Sequence, residues 1–127
     1  MINNQKILFK FIQINTNIDW PTISYRYNLS SNFIEKFKDE VNWLSISEYQ
    51  KLSEDFIMEF QNKVNWEMIS IYQKLSEPFI REFQDTLNWD YIPYHQNLSK
   101  KFKSEFKHKI KLSIIKKYCI NSFKLIM

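Results

Sequence analysis

The chain has 127 residues, 44% hydrophobic and 17% aromatic, which is the length of one domain with enough apolar mass for a core and excludes a disordered composition. Gly and Ala are absent, so no phosphate-cradling glycine loop exists, and a single Cys, Cys119, excludes an internal disulfide and a multi-cysteine metal site. The net charge of +4 hides an asymmetry: residues 1–99 carry nine Lys/Arg against thirteen Asp/Glu (−4), and residues 100–127 carry nine Lys against one acid (+8).

At the N-terminal end, "ILFKFIQI" (residues 7–14) is similar to a signal-peptide core, but Lys10 and Gln13 interrupt it and no small-residue cleavage site follows. No apolar run approaches the ~18 residues of a spanning helix. The expectation is a chain with no transmembrane segment, not secreted, and retained inside the cell.

From Trp20 onward one unit repeats. Trp20, Trp43, Trp66 and Trp89 are twenty-three residues apart, and the next step lands on Leu112. Asp19, Asn42, Asn65 and Asn88 precede the Trp residues and predict helix N-caps. Ser30, Ser53, Ser76 and Ser99, each after a Leu, predict a second set of caps. In "LSEDFIMEF", Glu54 and Asp55 oppose the helix dipole, and Phe56, Ile57, Phe60 and Val64 form one apolar stripe. In the Trp helices, Trp66, Ile69 and Tyr72 are expected to face inward. Pro21 and Pro78 fall in first turns, where a missing N–H is harmless; Pro93 lies one turn in and predicts a bent or shortened helix. Without Gly, Asn is expected wherever a left-handed residue is needed.

Each predicted helix is about ten residues, below the ~12–15 that are marginal alone, so the pairs must stack to bury their aromatic faces. The predicted fold is all-α: short helical hairpins of 23-residue period stacked as an α-solenoid or compact helical array. The reading divides a single domain, 1–127, into an N-terminal cap (1–19), four copies (20–42, 43–65, 66–88, 89–111) and a basic, apolar C-terminal cap (112–127).

The unit "LSExFIxEFQxxVNWxxISxYQK" resembles a short Trp-containing repeat in proteins of the amoeba-infecting giant DNA viruses, the mimivirus group, with similar strings in AT-rich bacterial and phage sequences. The resemblance spans roughly residues 10–110. Eighteen Ile, sixteen Lys and twelve Asn fit an AT-rich genome. The resemblance implies a viral source and a repeat fold, and it transfers no active site.

Catalytic chemistry finds no foothold. His95 and His108 lack a helical partner at ligand spacing, and His95 stands where Tyr49 and Tyr72 stand in other copies, as a packed or rim aromatic. Cys119 reads as a small buried residue. Glu54, Glu77, Glu59 and Glu82 read as first-turn and exposed-face charges. Gln50, Gln73 and Gln96 suggest a polar ladder, bonded to one another or to a ligand. The expectation is no enzyme, no cofactor and no metal.

Binding residues are sought where the copies differ. Met68, Ile71, Tyr91 and Tyr94 put apolar groups at varying positions of the Trp helices, to meet a partner protein or a neighbouring copy. Lys100, Lys101, Lys103, Lys107 and Lys111, interleaved with Phe102, Phe106, Ile110 and Ile114, make residues 100–117 a candidate surface for nucleic acid or an acidic partner, or a solubilising cap. The leading expectation is a non-catalytic viral interaction module binding another protein, in host cytoplasm or virion; its size also suits an inhibitor of a host or bacterial defence enzyme. The alternative is a nucleic-acid-binding protein using the basic end.

Overall fold

The computed structural model describes residues 4–126, and among them it holds ten helices and no strand. The chain divides into two units, Met1–Val64 and Asn65–Met127.

Two kinds of short helix alternate. In α2 (Trp20–Arg26), α4 (Trp43–Tyr49) and α6 (Trp66–Tyr72), the side chains of Asp19, Asn42 and Asn65 accept the N–H of Thr22, Ser45 and Met68 at 3.1, 2.9 and 3.0 Å. In α3 (Ser31–Lys36), α5 (Glu54–Glu59), α7 (Glu77–Glu82) and α9 (Lys100–Glu105), Ser30, Ser53, Ser76 and Ser99 accept the N–H of Phe33, Phe56, Phe79 and Phe102 at 3.1–3.3 Å. Each bond satisfies one of the four donors a helix start leaves open. At six or seven residues these helices are shorter than the ten expected. After α5 the chain stays coiled in a tighter turn, with Lys63 and Val64 both donating to the Phe60 carbonyl at 2.8 and 3.0 Å.

The helix ends are closed in an unexpected way. No described residue has a positive φ, so Asn does not take the place of Gly. The C-cap residues of the Trp helices are extended instead, as at Tyr27 and Gln50. A buried Gln supplies the missing partners: Gln50 Nε2 donates to the carbonyls of Ser24 and Tyr27 at 2.8 and 2.7 Å, and its Oε1 accepts the Leu29 N–H at 2.9 Å. The expected polar role is real, but these partners are backbone groups at the end of α2.

In the first unit α1 (Asn4–Ile14) and the α2/α4 pair surround Phe33, Ile34 and Ile46, which are essentially inaccessible. In the second, α6 packs against α8 (Ile92–His95), and Ile69, Ile80, Ile92 and Phe102 are equally buried. Burying one such side chain contributes roughly 1.5–3 kcal/mol. The Trp residues are half-buried, each against the second Phe of its own copy: Trp20 on Phe37, Trp43 on Phe60, Trp66 on Phe83 and Trp89 on Phe106, with centroids 5.2–5.3 Å apart. Tyr72 does not face inward; it is 54% exposed, because Ile69 and the buried Ser70 already occupy the inner side of α6.

The last copy departs from the others for a local reason. Ser24 and Ser70 each donate to the carbonyl four residues back, at 2.7 Å, and accept the N–H of the next cap, Asn42 or Asn88, at 3.0 and 2.9 Å. Pro93 stands where that Ser stands, and Lys111 where that Asn stands. Pro93 shortens α8 to four residues starting at Ile92, as its position predicts. With neither hydroxyl acceptor nor cap, the chain does not break at 111 and runs on as one helix, α10 (Lys107–Ile126).

Candidate interaction surface at the basic end

Lysines of α9 and α10 fall into two sets. Lys100, Lys101, Lys103, Lys107 and Lys111 are all exposed. Of these, Lys100, Lys103, Lys107 and Lys111 pair with no described acid. Lys103 is exposed at the register where Ile80 is buried. Lys100 and Lys101 occupy the first turn of α9, where the helix dipole disfavours cations.

The other set faces the body of the second unit. Lys109 Nζ bonds the Gln84 carbonyl at 3.2 Å and Asp85 at 3.1 Å, and lies 5.6 Å from the Trp89 ring centre. Lys116 meets Asp90 at 3.9 Å, and Lys117 Nζ sits 4.0 Å over the Tyr94 ring. Arg81 of α7 holds Glu105 by two bonds, at 2.9 and 2.8 Å; this fork lowers the Glu105 pKa and raises that of Arg81.

These contacts fix the rotation of α10. Lys109, Ser113, Lys116 and Lys117 share the side turned to the body, at the spacing of one helix face. The opposite side carries Lys111, Leu112, Ile115 and Tyr118, with the last three 60%, 46% and 68% exposed. The helix thus turns apolar groups to solvent on one side, and on the other Lys109, Lys116 and Lys117 reach toward the body, with Lys116 still 67% exposed. Ile110 is half-buried and Ile114 39% exposed, so the interleaved stripe read from the sequence divides: Phe102 and Phe106 are core and the later residues are surface. Leu112 stands at the Trp register, and its exposure follows from the unbroken α10. Spacing of 112, 115 and 118 is the signal in the sequence that marks this face.

Met68, Ile71 and Tyr91 are half-buried, and Tyr94 is 47% exposed. Tyr91 donates its hydroxyl to Glu67 at 3.2 Å, and that bond raises the Tyr91 pKa. Tyr91 and Tyr94 come together with Asp90, His95 and the inward lysines of α10, whereas Met68 and Ile71 do not line that space. Cys119 is exposed, since α10 projects past the packed residues after Ser113.

Among the described residues no three His, Cys, Asp or Glu side chains gather as a metal site, and no helix is long and apolar enough to cross a membrane. No family model, curated protein or solved structure matches the chain.

Proposed function

We propose that the chain is a non-catalytic binding module that holds an acidic protein surface on the outward side of α10. The observation that carries this reading is the outward side of α10, where Leu112, Ile115 and Tyr118 are exposed beside the exposed Lys107 and Lys111. Exposed apolar groups rimmed by charge are a feature of interaction sites, and the unpaired lysines give the partner its sign. The resemblance of the unit to giant-virus repeats supports a viral source for this module. The test is quantitative capture from infected cells, then direct binding of the purified captured protein, with wild type and L112E/Y118E. The reading requires a protein bound by wild type and lost in L112E/Y118E; equal binding by both sinks it.

A second reading, nucleic-acid binding by the basic end, is favoured by Lys100 and Lys101 in a first turn, a placement that costs helix stability and brings no ion pair to Lys100. In gel shifts, a variant with Gln at Lys100, Lys101, Lys103, Lys107 and Lys111 then binds DNA and RNA weakly, and each phosphate-binding lysine removed lowers the salt slope by about one. Equal shifts by variant and wild type end this reading.

A further inference from the structure

A groove of about 390 Å³ lies between the end of the Trp segment in the last copy and the inward side of α10. That is within the range of about 300–1,000 Å³ typical of small-molecule sites. Its floor includes Ser113, which is 3% exposed. The Ser113 hydroxyl has no hydrogen-bond partner among the described residues, unlike the buried Ser24 and Ser70, which bond the carbonyl four residues back. A buried hydroxyl without a partner calls for a physical reason.

One wall is cationic. Lys116 and Lys117 project from α10 into the groove, still accessible. The Tyr94 ring holds the Lys117 ammonium at 4.0 Å, so this charge is in place before any ligand arrives. Asp90, at 3.9 Å from Lys116, offsets one of the two charges and leaves a net positive site. The other wall is aromatic: the Tyr91 and His95 rings lie 6.1 Å apart at 52°. Cations, ring faces and one carboxylate acceptor in one small space match a ligand with an anionic head, a planar body and a donor on its edge.

We infer that this groove binds a nucleoside phosphate, free or as one residue of a single strand. The phosphate lies at Lys116 and Lys117, and the base lies against the rings, with Asp90 to accept a base amino or ribose hydroxyl. Stacking on aromatic faces tolerates any base. The site is on the opposite side of α10 from Leu112, Ile115 and Tyr118, so its test is independent of the protein-binding reading.

Calorimetric titration of the full chain with adenosine monophosphate, adenosine, inorganic phosphate and a short oligothymidine strand decides it. The nucleotide is expected to bind, with adenosine and phosphate each at least about tenfold weaker, since neither fills both walls. K116Q/K117Q is expected to weaken the nucleotide about tenfold or more, and K51Q/K74Q, the same charge change at exposed lysines outside the groove, to change it less than about twofold. Circular dichroism checks that each variant keeps its helices; K117Q alone replaces the double variant if that one does not. Strand binding tighter than the mononucleotide, and lost in K116Q/K117Q, assigns a single strand as the source; weaker or equal strand binding assigns the free nucleotide. No binding of the nucleotide at millimolar concentration, phosphate alone binding as tightly, or K51Q/K74Q weakening it as much as K116Q/K117Q overturns the inference.

Discussion

Gln96 Oε1 accepts the backbone N–H of Leu75 at 3.0 Å, across the end of α6. Its Nε2 donates to the carbonyls of Ser70 and Gln73 at 2.9 and 2.8 Å, so one side chain closes three backbone groups of the preceding copy. Gln50 does the same for the end of α2. In a chain without Gly, this replaces the left-handed cap that ends many helices.

Removing that amide strands buried backbone groups. Each buried group left without a partner costs about 1–3 kcal/mol, some of it recovered by water. Gln50→Leu is therefore expected to lose about 2–4 kcal/mol in urea unfolding. A loss under about 0.5 kcal/mol, the usual size of a neutral surface change, would mean the amide is not a cap.

Trp43 separates packing from hydrogen bonding. Its ring lies 5.3 Å from Phe60, and its Nε1 donates to the Lys38 carbonyl at 2.8 Å. Trp43→Phe keeps a ring and loses the bond, an expected cost of about 1 kcal/mol. Trp43→Ala is expected to cost about 2–3 kcal/mol, below the ~3–5 of a fully buried aromatic, because Trp43 is half-buried. Ser53→Ala, which loses only a cap bond, is expected at about 1 kcal/mol. Thermal melts that rank Ser53→Ala above Trp43→Ala would contradict this packing.

Acid should weaken the fold through three hydrogen-bonded carboxylates. The Ser99 N–H holds Glu77 below the ordinary Glu value of 4.5, and Arg81 does the same for Glu105. Thr22 holds Asp19 below the ordinary Asp value of 3.8. A depressed folded pKa means that the unfolded chain binds more protons, so the contribution is complete above these ordinary values and disappears as pH falls through the lowered ones. Melting temperature is expected to stay level from neutral pH to about 5 and then drop. E77Q/E105Q should flatten that drop; an acid limb identical to wild type would discard these two groups as its source.

Much of the fold is legible in the sequence because its signals are local. A Ser or Asn three residues before the N–H it accepts needs no tertiary context, so nearly every helix start is readable, and Pro93 marks the exception. The candidate surfaces are less legible. The sequence pattern places Tyr72 inward, and it is exposed.

The sequence by itself determined the helical class, the capping residues and the positions where the copies differ. Only the tertiary structure decided which side of each helix meets a neighbour, that Gln50 and Gln96 close backbone ends, and that α10 turns Lys116 and Lys117 inward and Leu112 outward. A helix of six or seven residues makes about two turns, and over two turns an aromatic-rich pattern leaves several apolar stripes equally plausible. The contacts choose among them, because burial depends on what lies across the interface and the helical period alone carries no record of it.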